Sequence, residues 1–175
     1  MLSKYLILVL LMWGSVSFSQ KVPSATGSKA STEQAQSALE FHNKVRKDVG
    51  VPGLEWSEQL SSYAQAWASN LATEGCKLKH RPPSGEWAQK YGENIYYYSG
   101  PVTLTAASKA WYNEIKDYKD EKLTIKELPK IGHYTQMVWR KTTKLGMGVA
   151  TCPSGATIVV ANYSPMGNFI GQKPY

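Results

Sequence analysis

Apolar positions recur at helical spacing in three stretches of the chain and crowd into strand-like runs in three others. Ala35, Ala38, Leu39, His42, Val45 and Val49 form one stripe of period 3.6 and predict a helix over about residues 32–49. Ser31 with Gln34 makes its N-terminal cap and Gly50 its stop. His42 lies on the stripe and reads as a hydrogen-bonded core histidine, with Asn43 and Arg46 satisfying other segments in the same way. Val51-Pro52-Gly53 turns the chain into a second helix capped by Ser57, with Leu60, Tyr63, Ala64, Trp67, Ala68 and Leu71 inward and Gly75 beyond its end. Residues 76–92 read as loop, with Pro82-Pro83 and Gly85. A third helix is predicted over about residues 103–118, its inward face Ala107, Ala110, Trp111, Glu114 and Tyr118. A carboxylate on an apolar face is costly to desolvate without a partner, which singles out Glu114.

Residues 93–98 are aromatic and strand-like, while residues 145–152 and 157–163 flank Pro153-Ser154-Gly155, the pattern of an antiparallel hairpin. Gly132 to Trp139 forms a short helical run in which Gly132 ends the preceding loop. His133, Gln136, Met137 and Arg140 share one face, and Val138 and Trp139 turn into the core. Three helices with about three strands predict a layered α+β domain.

The 175 residues accommodate one domain and a leader. Lys4, the apolar run from Leu6 to Met12 and Ser17-Phe18-Ser19 before Gln20 have the form of a signal peptide over residues 1–19. Seven apolar residues fall short of the roughly 20 that a membrane-spanning helix needs. The expectation is a secreted, extracellular protein with no transmembrane segment after processing. Residues 20–31 are small and polar and are expected to be a flexible arm, leaving residues 32–175 as the folded domain. The net charge of +7 is dispersed among acids, as in Lys116-Asp117-Tyr118-Lys119-Asp120, and no nucleic-acid motif accompanies it. Cys76 and Cys152 most simply form one disulfide in an oxidising compartment, the alternative being a reactive thiol.

His80, Glu93, Glu114 and His133 are the remaining candidates for chemistry. They are far apart in sequence and share no local metal motif. Four motifs place them in a wider pattern: His42-Asn43-Lys44-Val45-Arg46, Tyr91-Gly92-Glu93-Asn94-Ile95, Gly132 to Trp139 with Gln136 inside it, and Val159 to Asn168 with Asn162 and Tyr163 at its centre. With Trp111-Tyr112-Asn113-Glu114 between them, the chain resembles the CAP superfamily of cysteine-rich secretory, antigen 5 and class 1 pathogenesis-related proteins (SCP domain) from Phe41 to Asn168.

The resemblance implies a three-layer α-β-α sandwich around a small antiparallel sheet, and a central cleft lined by His80, Glu93, Glu114 and His133. Two imidazoles and two carboxylates suit Zn2+ or another divalent cation. A hydrogen-bonded tetrad without metal is the alternative. The resemblance also implies that Cys76 pairs with Cys152, while Met147 and Ala161 stand where plant and venom relatives carry a further bridge. It implies a binding protein for sterol, fatty acid or anionic lipid, or for a protein partner, in defence, reproduction or host interaction. A secreted hydrolase of the same cleft ranks behind binding, because no nucleophile-elbow pattern accompanies Thr135 or Ser164. Asn162-Tyr163-Ser164 is formally a glycosylation sequon, expected to be unmodified because it falls on a core strand.

Overall fold

A computed structural model of the protein describes residues 20–175. The proposed signal peptide lies outside the described residues. Helix α1 (Thr32–Asp48) is capped by the Ser31 hydroxyl, which accepts from Gln34 N. Strand β1 (Glu55–Trp56) leads into α2 (Glu58–Thr73), capped in the same way by Ser57. Strand β2 (Gly92–Tyr98), α3 (Leu104–Tyr112), α4 (Leu128–Met137), β3 (Lys144–Thr151) and β4 (Thr157–Ser164) follow.

The four strands form one sheet in the order β1-β3-β4-β2. The β3–β4 hairpin and the β4–β2 pair are antiparallel, with Glu93 opposite Asn162 and Asn94 opposite Ala161. The expected small antiparallel sheet is formed by these three strands, and a fourth, β1, is added at one edge parallel to β3. Two residues are too short a run for any periodicity to reveal.

Alternation along the strands divides the core. Leu145, Met147, Val159, Ala161 and Tyr163 pack against α1, α3 and α4 on one face. Ile95, Ala150, Ile158 and Val160 pack against α2 on the other, giving the α-β-α sandwich. Helix α2 approaches β3 closely because Gly146 and Gly148 present no side chain. A Cβ at Gly148 would overlap the backbone of Ala64 and Gln65, and one at Gly146 that of Leu60 and Ser61.

Three further expectations are corrected. The segment 20–31 is packed rather than loose: Val22, Thr26 and Ala30 are buried. Its backbone groups are taken up by side chains of the domain, with Val22 N donating to Gln36 Oε1 at 2.7 Å and Trp56 Nε1 donating to Thr26 O at 3.0 Å. The third helix ends at Tyr112 and tightens into a 3-10 turn over Asn113–Asp117. Glu114 therefore sits on that turn rather than on an apolar helix face, and Ser108, bonded to Leu104 O, replaces Ala110 among the buried positions. The last helix begins at Leu128, five residues before His133. Pro129 occupies its first turn, where a missing N–H costs nothing, and Gly132 is inside it. Arg140 lies beyond its end and is exposed.

Candidate functional site

The loop between α2 and β2 has no regular structure, yet α2 holds it along its length. The Cys76–Cys152 disulfide ties its start to the end of β3. Trp67 Nε1 donates to Lys79 O at 3.0 Å, and the Tyr63 hydroxyl donates to Ala88 O at 2.7 Å. These anchors present His80 to a cleft of about 450 Å3, lined also by Glu93 and Asn94 of β2, by His133 and Gln136 of α4, and by Met166 and Asn168 beyond β4.

The four predicted site residues come together as two pairs. Glu93 Oε1 accepts from His80 Nδ1 at 2.9 Å and from Arg81 N at 3.1 Å. Glu114 Oε1 lies 2.6 Å from His133 Nδ1, while its Oε2 accepts from His133 N at 2.9 Å and Tyr134 N at 3.0 Å. Those two amides belong to α4, so Glu114 binds the helix backbone and its imidazole together. The His133 ring stacks on Trp111, with ring centres 6.1 Å apart and planes 22° from parallel.

In each pair the carboxylate accepts from Nδ1–H, so the neutral form of either ring carries its lone pair on Nε2. Glu114 thus spends both oxygens on an imidazole and two amides, and Glu93 spends Oε1 on an imidazole and an amide while its Oε2 is buried without a hydrogen-bond partner. The expected set of four converging ligands is not what the geometry presents: among the described residues no group of three or more His, Cys, Asp or Glu is arranged to hold one metal ion.

The motif residues build the frame behind the cleft. Asn94 Nδ2 donates to His133 O at 3.0 Å and to the Tyr163 hydroxyl at 3.3 Å. That hydroxyl donates to His42 Nε2 at 2.9 Å, and His42 Nδ1 donates to Ala38 O at 2.8 Å. One chain of hydrogen bonds therefore links α1 to α4 through Tyr163 and Asn94 of the sheet, and it closes without an unmatched atom only when His42 is neutral. Burial, reinforced by the nearby Arg46 charge and opposed by the bond to Ala38, pulls the His42 pKa down to about 4.

Arg46 is fully buried. It donates to Pro52 O at 2.6 Å in the turn after α1, and to Met137 O at 2.8 Å, Trp139 O at 3.0 Å and Thr142 O at 2.8 Å, satisfying carbonyls at and beyond the end of α4. Burial lowers its pKa to about 10, so it stays cationic. Asn43 pairs both ways with the Leu54 backbone. Gln136 accepts from Gly167 N at 2.9 Å and donates to Thr142 Oγ1 at 3.3 Å, holding the segment after β4 against the cleft. Asn162 is fully buried on a central strand and donates to Gly92 O, a position closed to a glycan in the folded domain.

The Thr135 hydroxyl faces Asn168 Oδ1 at 2.7 Å and Gly132 O at 3.3 Å, a structural use rather than a nucleophile's setting. Arg81 is a site residue that the sequence reading missed. Its guanidinium lies over the Tyr63 ring at 3.7 Å, with Trp67 and Trp87 at 5.1 and 5.2 Å. No local spacing marks it, because its partners come from α2, the loop and β2.

Residues 39–163 match the family model described as "Cysteine-rich secretory protein family". Pathogenesis-related protein 1C of Nicotiana tabacum is 40% identical over 141 residues, 80% of this chain and 80% of its own length. GLIPR1-like protein 1 of Mus musculus is 39% identical over 152 residues, 78% of this chain and 61% of its own. Among solved structures, that of NaASP2 with Zn2+ superposes with a TM-score of 0.70 at 30% identity, covering 83% of this chain and 86% of that one. Venom allergen-like protein 4 of Schistosoma mansoni gives a TM-score of 0.61 at 28% identity, over 80% of this chain and 92% of its own.

Proposed function

The chain belongs to the cysteine-rich secretory protein (CAP) family, and on that premise we propose that it is a secreted defence protein whose cleft binds a divalent cation through His80 and His133. The similarity to pathogenesis-related proteins supports the defence role. The cysteine pair and the family description support secretion. Among the described residues no helix is long and apolar enough to cross a membrane.

One observation carries the cation reading: two imidazoles line a single cleft, each held at Nδ1 by a carboxylate. That is the arrangement in which carboxylates orient metal-binding histidines from behind. The donor set fits a zinc-like ion with affinity for imidazole better than a hard ion that needs several oxygens. His80 and His133 would hold the ion by Nε2, and Glu93 and Glu114 would fix the rings. The solved relative NaASP2 with Zn2+ supports the choice of metal. Such an ion, when bound, supplies Lewis acidity toward a carbonyl or a water.

A second reading, carriage of a sterol or other lipid, is favoured by the apolar lip that Leu128, Pro129 and Met166 add to the same cleft. Native mass spectrometry of the processed protein, with and without chelator, separates the two readings. The cation reading expects one chelator-sensitive zinc-mass adduct that the paired substitution His80→Ala/His133→Ala abolishes. No adduct at equimolar zinc, or one that survives both substitutions, would sink it, and a lipid-mass adduct would favour the carrier.

A further inference from the structure

His80 stands on a loop with its side chain 56% exposed, and Glu93 is the residue that holds its Nδ1. The direction of the imidazole therefore depends on what holds Glu93. That carboxylate is fully buried, a state that is costly unless a cation or several donors compensate it.

The compensation comes from Arg81. Its backbone N–H donates to Oε1 at 3.1 Å, and its Nε stands 3.8 Å from Oε2. Arg81 Nε and Glu93 Oε2 are both buried, and neither has a hydrogen-bond partner among the described residues. Each is therefore the other's electrostatic complement. The guanidinium is itself fixed, because Arg81 Nη2 donates to Tyr63 O at 2.7 Å and the Tyr63 ring lies beneath it at 3.7 Å, with two tryptophans around it. A rigid path thus runs from α2 through the guanidinium and the carboxylate to the imidazole. The second pair is built differently, with Glu114 held by two backbone amides of α4 and His133 stacked on Trp111.

We propose that Arg81 is a positioning residue for His80: by holding Glu93 it fixes the imidazole as the Nδ1–H tautomer and leaves Nε2 for the cleft. The ring geometry stands independently of any ligand, and only the use made of Nε2 rests on the cation reading.

The test is nitrogen-15 NMR of the imidazoles in metal-free protein, with His133 as an internal control. The wild type is expected to show a single Nδ1–H tautomer at His80. Arg81→Met should turn the His80 signal into a tautomer mixture and leave His133 unchanged. Arg81→Lys, which restores the cation without the stacked fork, should recover part of the wild-type signal. If Arg81→Met does not fold, Tyr63→Leu decides, since it removes the ring beneath the guanidinium and keeps the charge, and the same selective change at His80 is expected. An unchanged His80 in a folded variant, or equal changes at both histidines, would overturn the proposal. Titration with Zn2+ alone should then show affinity reduced about tenfold in Arg81→Met, the size expected for a residue behind a ligand. Wild type that binds no zinc would remove the cation reading and leave the tautomer result standing.

Discussion

His42 shows how much one buried side chain decides. The unfolded histidine binds a proton near pH 6.5 and the folded one only near pH 4, because a charged ring would have to be desolvated and Tyr163 would have to surrender its donor bond. A depressed histidine pKa means that the unfolded state holds more protons between those values. Stability is therefore complete above about pH 6.5 and is withdrawn as pH falls toward 4, by on the order of 3 kcal/mol at the acid end. Urea unfolding at pH 7 and pH 4.5 checks this. His42→Gln should be less stable at pH 7 yet lose less on acidification, whereas parallel losses in both proteins would assign the acid sensitivity elsewhere.

At the level of elements, the sandwich depends on contacts that only small residues allow. Gly146 and Gly148 lie on the face of β3 that meets α2, and an added Cβ at either would strike helix backbone rather than a movable side chain. Gly148→Ala is therefore expected to lose about 1–3 kcal/mol through forced separation of helix and sheet. A chemical-denaturation midpoint within error of wild type would show that α2 can slide at no cost. Helix α4 depends on partners in a different sense. With Gly132 inside it and no side-chain cap at its start it is a weak helix on local propensity, and Arg46 from α1 satisfies carbonyls around its end. Its start is not marked by periodicity for that reason, and of the face expected from spacing His133 and Gln136 line the cleft, whereas Met137 is buried in the core and Arg140 lies beyond the helix.

Across the whole molecule, the Cys76–Cys152 bridge closes a separation of 76 residues and joins the His80 loop to the hairpin. On the chain-entropy model such a link stabilises by about 4.5 kcal/mol. Cys76→Ser/Cys152→Ser is expected to lower the unfolding free energy by up to that amount, with protection from hydrogen exchange falling more in residues 76–91 than in the α1–α4 layer. A uniform loss over both layers would mean that the bridge acts on the unfolded chain alone and does not hold the loop.

What could be read from the chain follows from the range of the interactions. The spans of α1 and α2 were legible because each repeats one apolar face over many residues, so the signal adds along the chain, and those of β2 and the hairpin because aromatic and apolar runs buried on both faces are bounded by turn residues. The motif order and the pairing of two cysteines were legible for a similar reason, being patterns written in one dimension. The two-residue β1, the change from α-helix to 3-10 turn before Glu114 and the packing of residues 20–31 were not, since each depends on a partner distant in sequence. The same holds for the cleft. Sequence named His80, Glu93, Glu114 and His133, but only the tertiary structure sorted them into two imidazole–carboxylate pairs and placed Arg81 behind one of them. Periodicity records which face a residue buries, whereas the pairing of polar atoms is set by distances of about 3 Å between segments that meet only when the chain has folded.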